Sequence, residues 1–277
     1  MAWQEPASVP YCGPPPSPGS LWLSWNLDPI LIGGLVAVLG LYIFGGTQLK
    51  RAGHSLTAGQ MTVFLSGWLI TTLALVSPLC PLSVSLFSAR VGQHMVLTLL
   101  AAPLVAAGRP VKTIAAALAG PMPRGRWLRP APLLATAVFA MLLWFWHAPG
   151  PYAATFSSTL AYWSMHFTVF GGALWLWYGL LADQEGSMIR TVAGGVISSA
   201  QMGFLGALIT LAPRAVYEPH SLTTSVWGLT QLQDQQFGGV IMWVPGCAIF
   251  LGFAMLALWP AIAESKADGL PAGQRSV

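Results

Sequence analysis

The sequence predicts an all-α membrane protein, a bundle of seven transmembrane helices with the N-terminus outside and the C-terminus in the cytoplasm. Three observations predict it: a composition poor in charge, seven long apolar segments, and basic residues concentrated in alternate connections. Charged residues make up 7% of the 277 residues, whereas a soluble domain has roughly 25%. Apolar residues make up 55%, and the mean hydropathy is +0.65. So few charges cannot cover the surface of a soluble protein of this length.

The apolar segments are close to the roughly 20 residues that a helix needs to cross a bilayer. In chain order they are Pro29–Gln48, Gly59–Ser77, Leu86–Gly108, Pro132–His147, Tyr162–Leu181, Arg190–Ala212 and Gln235–Pro260. Their length, and the absence of ten-residue alternation, exclude the strands of a membrane barrel. A shorter apolar segment, Val111–Ala119, is predicted to lie at the cytoplasmic interface.

The basic residues set the predicted orientation. Ten of them follow the first, third and fifth segments or lie in the C-terminal tail, whereas Arg90 and Arg214 lie toward the other side; the ten are Lys50, Arg51, Arg109, Lys112, Arg124, Arg126, Arg129, Arg190, Lys266 and Arg275. Because cytoplasmic loops carry the excess of Lys and Arg, the odd connections and the C-terminus are predicted to be cytoplasmic. The net charge of +4 is attributed to this orientation, and nucleic acid is not an expected partner.

Three regions follow from this topology. Residues 1–27 form a Pro-rich extracytoplasmic tail, residues 28–260 the membrane domain, and residues 261–277 a cytoplasmic tail. The first region has neither a basic start nor an apolar stretch, so it is not expected to be a cleaved signal.

Four of the five histidines fall toward the outer side, on different segments. His94 lies about 12 Å below the outer end of the third segment, and His166 about 6 Å below the start of the fifth. His147 ends the fourth segment, and His220 is in the last outer loop. A single histidine near a helix end often only bonds a carbonyl. As a group, His94, His147 and His166 predict a shared metal site, because neutral imidazole binds copper, zinc and haem iron.

Sulfur-containing residues lie on the same side. Met242 is placed about 12 Å below the outer end of the seventh segment, and thioether with imidazole favours Cu(I). Methionines in so apolar a chain are nevertheless mostly core residues. Cys12 and Cys80 both fall outside, where a disulfide, a soft-metal site and free thiols remain open alternatives.

Three polar residues are candidates for supporting this metal site. Gln93 precedes His94, and Asp234 opens the seventh segment. Asp234 is predicted either to orient a ligating imidazole or to cap the N-terminus of its helix. Arg90 lies four residues before His94. Its guanidinium could extend to the lipid headgroups, pair with Asp234, or hold an anion such as a haem propionate.

Small residues recur at every fourth position of the sixth segment, at Gly195, Ser199, Gly203 and Ala207. Such a stripe lets two helices approach closely, so a packing role is expected. Enlarging it would test a scaffold function.

Several of these segments resemble the caa3-type CtaG family of multi-span cytochrome c oxidase assembly factors. The segments are SARVGQH (Ser88–His94), LVAAGRP (Leu104–Pro110), WFWHAP (Trp144–Pro149), His166 and DQQFGGVIMW (Asp234–Trp243). The resemblance covers roughly residues 25–260. In the third span the family pattern is similar to HMxQH, and Arg90 stands where its first histidine is usual, while Gln93 and His94 match the remainder. His147 matches the WHxP histidine of the family.

The resemblance implies a multi-pass protein of the bacterial inner membrane that is needed for maturation of a haem–copper oxidase. Copper delivery is the activity usually suggested, with oxidase subunits and a periplasmic copper chaperone as partners. Two other functions stay open: a scaffold without metal, and a membrane protein that binds haem between two histidines. No nucleophile–base pair, phosphate loop or HExxH motif occurs, so an enzyme is not expected.

Overall fold

Residues 10–119, 132–182 and 188–268 are described by a computed structural model of the chain, and the regular structure in these ranges is helical. The helices are α1 (Pro29–Arg51), α2 (Ala58–Val76), α3 (Leu79–Ser85), α4 (Phe87–Ala107), α5 (Pro110–Ala119), α6 (Pro132–His147), α7 (Pro149–Ser157), α8 (Thr159–Ala182), α9 (Met188–Thr210) and α10 (Gln231–Asp268). Arg124, Arg126, Arg129 and Arg275, all predicted to be cytoplasmic, lie outside the described residues, as do residues 1–9.

All seven predicted segments are helical, which confirms the all-α prediction for the described ranges. Among these ranges, α1, α2, α4, α9 and α10 are long and apolar enough to cross a membrane, and α6 with α7 adds a sixth candidate if this pair, bent by 70°, is one span. The 24-residue helix α8 is not among these candidates. The chain is therefore a multi-pass membrane protein, while the count of seven crossings and their orientation stay predictions.

The long helices alternate in direction, so that one end of the bundle gathers the starts of α1, α4, α8 and α10 and the ends of α2, α6 and α9. We call it the disulfide end, because a disulfide between Cys12 and Cys80 lies there. The amide of Asn26, just before α1, donates to the carbonyl of Val76 at the end of α2 (2.9 Å). The hydroxyl of Tyr217, beyond α9, donates to the carbonyl of His147 at the end of α6 (2.9 Å).

Local sequence explains the boundaries of the first two helices. The carboxylate of Asp28 accepts from the amide of Ile30 (2.7 Å), and Pro29 occupies the first position of α1, where its missing N–H has no consequence. At the other end of the bundle, Thr57 and Gln60 form a reciprocal capping box at the start of α2. Side-chain caps thus set the start of α1 and the start of α2.

Helix α4 contains a π-helical segment, Val96–Ala101, directly after His94 and Met95. Pro103, two residues beyond it, has no N–H to donate within the helix, so the hydrogen-bond ladder has to be rearranged near this point. The indole of Trp177 on α8 donates to the carbonyl of Thr98 (2.8 Å). This contact joins α4 to α8 immediately below the predicted histidine site.

The small-residue stripe of α9 faces α10. A Cβ on Gly195 would meet Ala254, a Cβ on Gly203 would meet the sulfur of Cys247 at 2.8 Å, and the hydroxyl of Ser199 donates to the carbonyl of Cys247 (3.4 Å). The predicted packing role is confirmed for Gly195, Ser199 and Gly203, which are buried within this chain. These three positions therefore give no support to a scaffold that would use the stripe to bind another protein.

The short segment predicted at the interface forms helix α5 and packs on α1. A Cβ on Gly45 would collide with the carbonyl group of Thr113, so only glycine permits this approach. The predicted C-terminal tail begins within α10, which continues to Asp268.

Candidate functional site: a histidine pair at the disulfide end

Two of the predicted histidines are in contact. The ring of His94 on α4 and the ring of His166 on α8 meet edge to face, with centroids 5.2 Å apart. Each side chain is 5% exposed. The two helices are held together on both sides of the pair. The hydrogen bond from Trp177 to Thr98 lies below it, and the disulfide end lies above it.

In two of the histidines, a hydrogen bond fixes which ring nitrogen carries the hydrogen and which is free to accept or to bind a metal. Nδ1 of His166 lies 3.0 Å from the carbonyl oxygen of Tyr162, and Nδ1 of His147 lies 2.7 Å from that of Leu143. A carbonyl can only accept, so Nδ1 carries the hydrogen in both rings, and Nε2 presents a lone pair. Nε2 of His166 and Nε2 of His94 are buried and have no hydrogen-bond partner among the described residues. Buried ring nitrogens without a partner require an explanation.

The other predicted ligands lie near this pair without completing a larger group. His147 is within electrostatic range of His94, whereas Met242 is fully buried in the main apolar core. Within the described residues, no group of three or more His, Cys, Asp or Glu side chains is arranged to hold a metal ion. The geometry therefore singles out His94 and His166 among the predicted ligands.

Gln93, predicted to support the site, ties α4 to α2 instead. Its Nε2 donates to the carbonyl of Ala74 (2.7 Å), while its Oε1 is buried without a partner among the described residues. The amide therefore fixes the height of His94 relative to α2.

Arg90 is 1% exposed, so it does not extend to the lipid headgroups. Its Nη1 donates to the hydroxyl of Thr155 (2.6 Å) and its Nε to the carbonyl of Ser83 (3.3 Å). Phe156 lies under the guanidinium, 4.1 Å from ring centroid to Cζ, a favourable cation–π contact. Its Nη2 has no hydrogen-bond partner among the described residues. Arg90 stands beside the pair, where its charge acts on both His94 and His166.

Asp234 caps a helix other than its own. Its carboxylate accepts from the amides of Phe87 (2.6 Å) and Ser88 (3.1 Å) and from the Ser88 hydroxyl (2.5 Å). These amides open α4, whose own preceding residue, Leu86, offers no side-chain cap. The predicted capping role thus applies to α4 rather than α10. Neither Arg90 nor an imidazole is among the groups that donate to this carboxylate.

The disulfide resolves the alternatives left open for the two outer cysteines. Cys12 and Cys80 are joined across 68 residues of sequence, and Cys12 Sγ lies 3.2 Å from the hydroxyl of Tyr162. The ring of Tyr162 packs on that of His166, with centroids 4.2 Å apart. The N-terminal tail is therefore fixed directly over the histidine pair. Sequence reasoning missed Tyr162, although its spacing of four residues from His166 places both on one face of a helix.

A fourth buried histidine lies near Arg90. His220, in the loop after α9, is fully buried, and its Nε2 lies 2.6 Å from the hydroxyl of Tyr152 on α7. Burial, together with the nearby charge of Arg90, lowers the pKa of His220 to about 3. The bend between α6 and α7 brings Tyr152 to this position, which the sequence did not indicate.

Acidification should therefore destabilise the fold. An unfolded chain binds a proton on His220 near pH 6.5, well above the folded pKa of about 3. Stability from the neutral ring is present above pH 6.5 and is lost as the pH falls toward 3, by about 2 kcal/mol at pH 5. Thermal unfolding in detergent at pH 7.5 and 5 would measure this loss. His220→Gln should reduce it and the exposed-residue control His54→Gln should not; an equal loss in all three proteins would contradict the assignment.

Comparison with known proteins gives the family. A sequence model described as the cytochrome c oxidase caa3 assembly factor (Caa3_CtaG) matches residues 40–264. An uncharacterized protein of Mycobacterium leprae (strain TN) is 25% identical over 272 residues, covering 88% of this chain and 41% of that protein. The chain thus spans about two fifths of the length of that curated relative. No solved structure matches.

The family match includes α4, the end of α6, α8 and the start of α10, and so every histidine, arginine and aspartate of the site described above. Because it covers most of the sequence, the chain belongs to the family of cytochrome c oxidase caa3 assembly factors.

Proposed function

We propose that this protein helps to assemble a haem–copper oxidase in the bacterial inner membrane by holding copper as cargo between His94 and His166. The observation that carries the proposal is the pair of buried Nε2 atoms without partners on two adjacent helices. Neutral imidazoles suit copper, and Cu(I) accepts as few as two ligands. His147, which lies within electrostatic range of His94, is a candidate for a third ligand. The role is binding and transfer to oxidase subunits, with a periplasmic copper chaperone as donor, rather than catalysis.

Two features support an extracytoplasmic site. A disulfide persists in oxidising compartments such as the periplasm, which supports an extracytoplasmic location for the end with Cys12 and Cys80. α1 and α2 lie between these cysteines, so two crossings return the chain to the same side. At the opposite end, Lys50 and Arg51 are the last two residues of α1, which agrees with a cytoplasmic location under the positive-inside rule.

Haem binding between the same histidines is less well supported. The two rings touch edge to face, whereas a haem with two histidine ligands needs a flat slot between them that is wide enough to hold the porphyrin. A small ion fits this arrangement better.

Copper binding can be tested on the purified full-length protein. We expect about one Cu(I) per chain in competition with a chromogenic chelator, and near-complete loss of it in His94→Leu combined with His166→Leu. His54→Leu, which removes the exposed histidine bonded to the carbonyl of Ala52, is the matched control and should bind as the parent does. Undiminished binding by the double variant would refute the proposal. Copper content of the oxidase in cells carrying each variant gives the second measurement.

A further inference from the structure

The guanidinium of Arg90 is a buried positive charge whose bonded partners are all uncharged. It donates to the hydroxyl of Thr155 and to the carbonyl of Ser83, and its Nη2 has no hydrogen-bond partner among the described residues. Asp234, a fully buried carboxylate on α10, accepts from the start of α4 instead. No carboxylate therefore bonds to this cation within the part of the chain that the structure describes.

This charge lies close to the histidine pair. Arg90 precedes His94 by one turn of α4, which places both on one face of the helix. Its Cζ is 5.9 Å from the ring centroid of Tyr162, and that ring is stacked 4.2 Å from the ring of His166. These contacts place the guanidinium no more than about 10 Å from the His166 ring, and salt in the surrounding water screens buried charges poorly over such a distance.

The ligands of the pair cannot offset this repulsion. Two imidazoles bring no negative charge to a bound ion, so the ion keeps its full charge beside the guanidinium. The repulsion grows in proportion to that charge. Cu(I) and Zn(II) have the same filled d shell, and both bind imidazole, but zinc carries twice the charge. A fixed cation at this position therefore disfavours zinc more strongly than Cu(I).

We propose that Arg90 determines the specificity of the site: its uncompensated charge makes the pair of His94 and His166 select a monovalent metal ion over divalent ions. The inference rests on the proposed function, because it requires an ion bound between these two histidines. It explains why a cation is buried beside a site that binds a cation.

The experiment measures the affinity of the purified full-length protein for Cu(I) and for Zn(II), each in competition with a chelator. At about 10 Å, with an effective dielectric constant of about 20, one unit charge weakens binding of a monovalent ion about 15-fold and of a divalent ion about 200-fold. Arg90→Met should therefore strengthen Cu(I) binding about 15-fold and Zn(II) binding about 200-fold. The ratio of the two affinities should thus shift about tenfold toward zinc.

Four further variants separate the charge from its structural contacts. Arg90→Lys keeps the charge and should keep the parent's ratio. Arg90→Gln has no charge but can still bond to Thr155, so it should shift the ratio as Arg90→Met does, and it replaces that variant if Arg90→Met does not fold. Thr155→Val removes the hydroxyl bonded to Nη1 and should leave the ratio unchanged. Arg51→Met makes the same substitution at an exposed position at the other end of the bundle and should change neither affinity.

An unchanged ratio in the two uncharged variants of Arg90, with Cu(I) still bound, would overturn this inference and leave the proposed function in place. A shift of equal size in Arg90→Lys or Thr155→Val would also overturn it, because the contacts rather than the charge would then set the ratio. If the parent bound neither ion, the proposed function itself would fail, and the role of Arg90 would fail with it.

Discussion

Replacing Gly239 by alanine should strongly destabilise the protein, although it adds only one methyl group. A Cβ at Gly239 would collide with the hydroxyl of Thr210 and lie 2.7 Å from the carbonyl oxygen of Gly206. Real Cβ atoms essentially never approach backbone so closely. These obstacles belong to α9, so the two helices have to separate along the most extensive contact in the fold. We expect a loss of about 3 kcal/mol, the upper part of the range for overpacked cores.

The matched control lies on the same helix. Gly252 of α10 has nothing within 4 Å of an added Cβ, so Gly252→Ala should leave stability unchanged or slightly raised, since alanine favours the helix. Thermal unfolding in detergent, followed by the change in tryptophan fluorescence, compares the two variants. Equal midpoints would show that α9 and α10 do not pack as described.

Asp234→Ala should destabilise the protein by about 3 kcal/mol as well. The carboxylate accepts from the amides of Phe87 and Ser88 and from the Ser88 hydroxyl, and Asp234 is fully buried. Its removal leaves two amides at the start of α4 without an acceptor in an apolar environment, at about 1–3 kcal/mol each. Because α4 carries Arg90 and His94, copper binding should weaken together with the stability.

Graded substitutions separate this role from general damage to α10. Asp234→Asn keeps one acceptor and should lose roughly half as much, and Ser88→Ala should cost about 1 kcal/mol. Gln236→Ala, two residues further along the helix at a half-buried position, should have little effect. If Asp234→Ala melted at the temperature of Gln236→Ala, the assigned cap would be wrong.

The long helices were predictable because each has enough apolar residues to cross a bilayer, where only a helix satisfies the backbone within one segment. The 70° bend after His147 was not, since hydropathy averaged along the chain does not distinguish one straight span from two short helices. Pro149, which begins α7, was the available signal. The bend matters for the site, because it places Thr155 and Phe156 against Arg90.

The sequence predicted which residues belong to the site, but only partly which of them are in contact. Depth along each helix placed His94, His147 and His166 toward the same side of the membrane, but depth does not determine which helices are neighbours. That choice depends on contacts such as Trp177 with the carbonyl of Thr98. For the same reason the sequence suggested that Asp234 would act within its own helix, whereas its carboxylate bonds to α4.

The bond between Cys12 and Cys80 also bears on biogenesis. Both cysteines precede His94 and His166 in the chain, so the covalent loop can close once α1 and α2 have been inserted and residue 80 has emerged from the membrane. When α8 is inserted later, Tyr162 packs against a disulfide that has already formed. Oxidation of Cys12 and Cys80 can thus precede the contact between His94 and His166.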